Sequence, residues 1–337
     1  MIVLKRPSDW TREISLFKYS TGQSEAEIRE VGKQWKESEE KCTNPHKDYI
    51  EIKDMSSKLE PQFKILETLL ELIAKLTVRI KIPIETKPPS ANRESVFGTG
   101  FIPRVRRQWD KTEPKEYGVI TVSTVHHVIS PDSAKGKTID YENATIKINF
   151  DSVDAQVERA TGFTILESDK DINTYDWCSF ECTTDDLNLI DTLSEHISSL
   201  EVEQKKAYEF YKASQKAPTT SDVHTDDDSS EQTSHSADFV AVISHPHGGP
   251  KKGSFGRTRA TKEILKQVRD QQEWCCYFHD ALTCAGSSGS PVFILGQPLC
   301  GYGYWFGHPH NHSGKRADGM KVTSIGVDHV ETALTPQ

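Results

Sequence analysis

A mainly β body, preceded by a helical segment and interrupted by an acidic insert, is what this 337-residue sequence predicts. Three observations carry that reading. Short apolar runs recur between turn residues at 95–102, 117–123, 144–150, 161–166 and 177–182. They resume at 239–244, 274–278, 291–295, 297–305 and 321–327, a spacing that suits an antiparallel sandwich or barrel. Residues 185–231 hold twelve acids against four bases, a surplus of eight that accounts for nearly all of the net charge of −9. Residues 61–76 place apolar side chains at three- and four-residue steps, the period of a helix with one buried face.

Taken in order, residues 1–83 read as a helical N-terminal extension. Ser24 and Glu27 form a capping box ahead of a polar stretch reaching Cys42. A second helix starts at Pro61, a good first helical position, and carries Phe63, Leu66, Leu69, Leu70, Ile73 and Leu76. This stripe must be covered, either by the body of the same chain or by a partner helix or second copy. Val78, Ile80, Ile82 and Ile84 alternate with other residues and predict a strand. Residues 85–93, with Pro88 and Pro89, read as a linker. Residues 94–184 and 237–330 are the two β-rich halves. The insert between them, 185–236, predicts a helix to about residue 214 and then a Ser/Thr/Asp-rich disordered run.

Several function classes drop out. No run of 18 apolar residues is present, so no transmembrane helix is expected. Met1-Ile-Val-Leu is followed at once by charge, which is not a secretory signal. Seven cysteines, an odd number, then predict free thiols in an intracellular, reducing compartment. Outside the insert the chain is nearly neutral, which gives no support to nucleic-acid binding. No cofactor or metal is expected.

The chemistry concentrates in three segments. Gly286-Ser287-Ser288-Gly289-Ser290-Pro291 precedes a predicted strand. A serine between glycines on a tight turn exposes its hydroxyl, and the N–H groups of Gly286 and Ser288 can form an oxyanion hole. A nucleophilic serine needs a base, and the base needs an orienting acid. His126-His127 follows one strand of the first half, and Asp176 begins another. Asp171, five residues earlier, is the alternative acid.

In these segments the chain resembles the trypsin/chymotrypsin-like serine peptidases. Gly98-Thr-Gly-Phe-Ile102 resembles the strand that opens the family's first barrel, and Ser123-Thr-Val-His-His127 resembles its Thr-Ala-Ala-His segment. Asp176-Trp-Cys-Ser-Phe and Gly286-Ser-Ser288-Gly-Ser-Pro291 resemble its aspartate strand and nucleophile loop. The resemblance covers about 94–330 without the insert. It implies two antiparallel Greek-key β-barrels with the site in the cleft between them. It also implies His127 as base, Asp176 as orienting acid and Ser288 as nucleophile of an endopeptidase acting on protein or peptide substrates.

Two departures refine the expectation. Ser287 replaces the aspartate that secreted zymogens pair with a new N-terminus, a pattern more like intracellular HtrA-type and compact viral relatives. Leu282 stands where trypsin-like enzymes place a specificity-setting aspartate, so Leu282 with Tyr304 and Trp305 predicts an apolar substrate pocket. His308-Pro-His310-Asn-His312 reads as a solvated loop and His245-Pro-His247 as a structural turn. Cys284 and Cys300 match a bridge of secreted relatives but are expected as thiols. The rival readings are a catalytically silent interaction module on the same fold and an acyl hydrolase of another fold. The triad order and the absence of a Gly-x-Ser-x-Gly elbow oppose the second.

Overall fold

The computed structural model describes residues 36, 39–42, 46–85, 94–110, 114–130, 138–169, 176–216, 239–258, 263–269, 272–297, 308–315 and 321–329. Fifteen strands and four helices occur among them. The strands are β1 (Ile50–Glu51), β2 (Thr77–Glu85), β3 (Glu94–Asp110), β4 (Lys115–Thr124), β5 (Thr138–Ile139), β6 (Thr145–Ile148), β7 (Glu158–Asp169) and β8 (Trp177–Thr184). They continue with β9 (Phe239–Ser244), β10 (Lys252–Arg257), β11 (Glu263–Arg269), β12 (Gln272–Phe278), β13 (Pro291–Ile294), β14 (His308–Lys315) and β15 (Lys321–His329). The helices are α1 (Met55–Lys58), α2 (Glu67–Leu76), α3 (His126–Ile129) and α4 (Leu187–Lys216).

The strands form two antiparallel sheets, one built on each β-rich half and each joined by a strand from the N-terminal segment. The first runs β3-β4-β8-β7-β6-β2-β5, and a further β2–β3 pairing makes six of its strands a cyclic order. The second runs β1-β10-β9-β13-β14-β15-β12-β11, an open order among the described residues. The chain is thus mainly β with two sheets, as the strand spacing predicts.

The N-terminal segment is less of an appendage than its sequence suggests. Thr77–Glu85 is a strand paired with β3 over eight residues, so the expected helical stretch 1–83 ends at Leu76. β1, from the same segment, pairs with β10 of the second sheet. The chain between them passes through a 3-10 turn at Ile52–Asp54 and α1, then a second 3-10 turn at Pro61–Leu66 that continues as α2. Phe63, Leu66, Leu69, Leu70, Ile73 and Leu76 are all 0–1% exposed. Phe63 lies on Phe239 of β9 at 4.5 Å, and α2 packs against α4. Each such side chain contributes about 1.5–3 kcal/mol by leaving water, so the stripe is covered by its own chain.

The insert supplies α4, thirty residues long. The Asp186 carboxylate accepts the Leu189 N–H at 3.0 Å and caps its first turn. Leu189, Ile190, Leu193, Leu200 and Ala207 are buried, and the helix lies on α2, β3 and β4. The Ser/Thr/Asp-rich run 217–236 lies outside the described residues. The expected strand over 297–305 lies almost wholly outside them too. His308 to His312, expected as a solvated loop, fall in β14, which pairs with β13 and β15. No helix among the described residues is long and apolar enough to cross a membrane.

Candidate active site

β4 and β8 are antiparallel neighbours, with Thr124 opposite Cys178. The residues leaving the end of β4 therefore meet those entering β8. His126 and His127 open the single turn α3, and Asp176 immediately precedes β8. His127 Nδ1 lies 2.6 Å from Asp176 Oδ2, and the His127 backbone N–H donates to Asp176 Oδ1 at 3.0 Å. The His126 N–H donates to the Asp176 carbonyl at 3.3 Å. Asp176 is fully buried, at a backbone φ of +38°. A carboxylate removed from water needs its lone pairs occupied. Here ring and backbone of one histidine do so, which fixes both the side chain and the ring. Asp171 lies outside the described residues.

Ser288 sits half-buried in two consecutive tight turns. The Ser287 N–H donates to the Cys284 carbonyl at 2.9 Å, and the Ser290 N–H donates to the Ser287 carbonyl at 3.0 Å. Gly286 and Gly289 have φ of +88° and +82°, a region glycine enters without strain. The Ala285 carbonyl accepts the His247 N–H at 2.5 Å. In a planar trans peptide the Gly286 N–H then points the opposite way. Neither the Gly286 nor the Ser288 N–H donates to a backbone carbonyl among the described residues. Ser287 is buried, donating from Oγ to Ser244 Oγ at 3.0 Å and accepting the Cys284 N–H at 3.2 Å.

One residue that the sequence reading passed over joins this turn to the first sheet. Thr99 of β3, fully buried, donates its N–H to the Ser288 carbonyl at 2.9 Å. Its Oγ1 donates to the Gly286 carbonyl at 2.7 Å and accepts the His245 N–H at 3.0 Å. Its carbonyl accepts from Thr124 Oγ1 at 2.8 Å, at the end of the strand that leads to His127. Contact is tight enough that a Cβ on Gly289 would stand 2.0 Å from Thr124 Oγ1. The signal available in the sequence was the position of Thr99 between Gly98 and Gly100.

The turn Pro246–Gly248 lies beneath the serine loop and is held by buried polar groups. Arg79 of β2 is fully buried, donates from Nη1 to the Gly248 carbonyl at 2.8 Å, and lies over Phe150 at 4.7 Å. Burial pushes its pKa down to about 9. His245 donates from Nδ1 to the Gly249 carbonyl at 2.9 Å. Burial, and then the nearby Lys251 charge, hold its pKa well below the usual histidine value. This matches the structural role expected of the His245–His247 turn.

Leu282 lines a cavity of about 540 Å3 with Phe239, Phe255, Asp48, Lys58, Glu60, Arg257 and others; His127, Asp176 and Ser288 do not line it. Tyr304, Trp305 and Cys300 lie outside the described residues. Cys42, Cys178, Cys182 and Cys284 are in no disulfide.

Comparison with known proteins adds the following. No family model matches the chain, and no curated protein matches it. Among solved structures, the chain is similar to serine proteases. The active form of the Rv3671c protease from M. tuberculosis aligns at TM-score 0.39 and 14% identity, covering 82% of this chain and 89% of that one. Deg5 aligns at 0.35 and 13%, covering 70% and 82%. The serine endoprotease from Yersinia pestis aligns at 0.36 and 14%, covering 76% and 60%.

Proposed function

We propose that this chain is a serine endopeptidase in which His127, Asp176 and Ser288 act together. The observation that carries the reading is the 2.6 Å hydrogen bond from His127 to the buried Asp176 carboxylate, beside the threonine pair that seats the Ser288 turn. Ser288 Oγ attacks the peptide carbonyl. His127 accepts the hydroxyl proton and returns it to the leaving amine. Asp176 holds the Nδ1–H tautomer, which leaves Nε2 as the base, and stabilises the imidazolium. The N–H groups of Gly286 and Ser288 receive the oxyanion, each worth about 2.7–4 kcal/mol in the transition state. Water then hydrolyses the acyl-enzyme through the same histidine.

The substrate is a protein or peptide. The sequence resemblance alone assigns Leu282, Tyr304 and Trp305 to the pocket for the residue before the cleaved bond, and the absence of an acid at position 282 carries the expectation of an apolar or aromatic side chain there. The test is hydrolysis of a peptide library by wild type and by Ser288→Ala. The reading expects Ser288-dependent cleavage after apolar residues. Cleavage that survives Ser288→Ala, or that follows Lys and Arg, contradicts it.

A further inference from the structure

Four metal-ligating side chains converge outside the triad: Cys42, His46, His247 and Cys284, with all four ligand atoms within 4.8 Å of one another. Cys42 Sγ is 3.7 Å from Cys284 Sγ. His46 Nε2 is 3.2 Å from His247 Nε2, and Cys284 Sγ is 3.5 Å from His46 Nε2. In a tetrahedral site with Zn–S of about 2.3 Å and Zn–N of about 2.0–2.1 Å, two sulfurs stand about 3.8 Å apart, two nitrogens about 3.3 Å and a sulfur–nitrogen pair about 3.5 Å. These three edges agree with that solid, and all six lie within 4.8 Å. The separation of the sulfurs is far beyond the ~2.05 Å of a disulfide. The two imidazoles stand edge to face at 85°, both turning Nε2 to the centre.

We propose that Cys42, His46, His247 and Cys284 form a structural Cys2His2 zinc site that fastens Cys42 and His46 to the turn preceding Ser288. Two soft thiolates and two imidazoles select zinc over magnesium or calcium. Four protein ligands close the coordination shell, which marks a structural site rather than a catalytic one. Binding releases the two thiol protons and involves no redox step. Tyr49 supplies an independent sign. Its hydroxyl is buried beside the cluster, its side chain against Cys284 and Ser287; a zinc-bound thiolate gives its O–H an acceptor, as outer-shell groups commonly do.

The sequence reading expects no metal. The one hint was Cys42 followed by His46, a spacing within the range of zinc-ligand pairs, but its partners lie more than 200 positions away. The placement has a consequence that rests on the peptidase reading. Cys284 and His247 flank the Ala285 carbonyl contact that sets the direction of the Gly286 N–H. The metal therefore holds the oxyanion loop where Ser287 offers no charge to do so.

The test is zinc content of the full chain, purified in reductant without chelator and measured by elemental mass spectrometry, in wild type, Ser288→Ala, Cys42→Ser and His46→Ala. About one zinc per chain is expected in the first two and near none in the last two, the stoichiometry of a single closed site. Cobalt exchanged into the wild type should show a thiolate charge-transfer band, and this reading does not depend on how well the variants fold. Absence of that band, zinc retained equally in Cys42→Ser and His46→Ala, or a Cys42–Cys284 disulfide in the reduced preparation would overturn the site. None of these readouts uses peptidase activity, so the site stands or falls apart from the proposed function.

Discussion

Replacing Gly289 by alanine tests how the serine turn is seated between the sheets. Gly289 has φ +82°, and an added Cβ would lie 2.0 Å from Thr124 Oγ1 and 2.3 Å from the Thr99 carbonyl. Neither neighbour can move cheaply. Both threonines are fully buried and hydrogen-bonded to each other at 2.8 Å. The left-handed backbone costs an L-residue about 1–2 kcal/mol, and overpacking adds about 1–3 kcal/mol. Gly162, in β7, is the matched control: its φ is +75° and a Cβ there meets nothing within 4 Å. Gly162→Ala therefore carries the backbone cost alone. Urea unfolding followed by tryptophan fluorescence should place Gly289→Ala about 1–3 kcal/mol below Gly162→Ala. The turn must also lift by an ångström or more, which should lower kcat by ~10²-fold, while Gly162→Ala keeps full turnover. Equal effects of the two substitutions, in stability and in turnover, would refute the proposed seat.

Three other outcomes follow from the same geometry. Asp176→Asn keeps the shape but loses control of the His127 tautomer, so kcat should fall by ~10⁴-fold with little change in fold by circular dichroism; a loss under tenfold would remove Asp176 from the mechanism. Leu70→Ala, at a position 1% exposed on α2, should cost about 2–5 kcal/mol in urea unfolding, and a cost near zero would detach α2 from the core. Burial, and then the Asp176 charge, raise the Cys178 thiol from 9.0 to about 12. The unfolded chain sheds this proton first, so the contribution is intact below pH 9 and declines toward pH 12, by up to about 1.4 kcal/mol per pH unit. Urea midpoints at pH 8 and 10 check this, and Cys178→Ala should flatten the decline.

The legible parts of the molecule are those whose cause is local. Alternation placed β2, and short apolar runs between turn residues placed β4, β8 and β9, because each buries apolar side chains. The stripe over residues 63–76 was readable because its six buried positions recur at three- and four-residue steps, two in the 3-10 turn and four on α2. His127, Asp176 and Ser288 were singled out through glycines and strand ends close to them in sequence, and through the resemblance those segments carry. β10, Lys-Gly-Ser-Phe-Gly-Arg, and β14, with its prolyl-histidyl start, carry little apolar pattern. They are strands because β9, β13 and β15 pair with them, and such tertiary context overrides propensity. Thr99 was missed for a similar reason. Its partners His245 and Gly286 lie 146 and 187 positions on, and no local pattern announces them.

The most direct test of the central claim is labelling by a fluorophosphonate probe in wild type, Ser288→Ala, His127→Ala and Cys42→Ser. The account predicts covalent labelling of wild type at Ser288, confirmed by peptide mapping, and its loss in the first two variants. Cys42→Ser should label more slowly, because the oxyanion loop is no longer held by metal. A folded wild type that stays unlabelled, or a label that survives Ser288→Ala, would contradict the assignment of an activated serine.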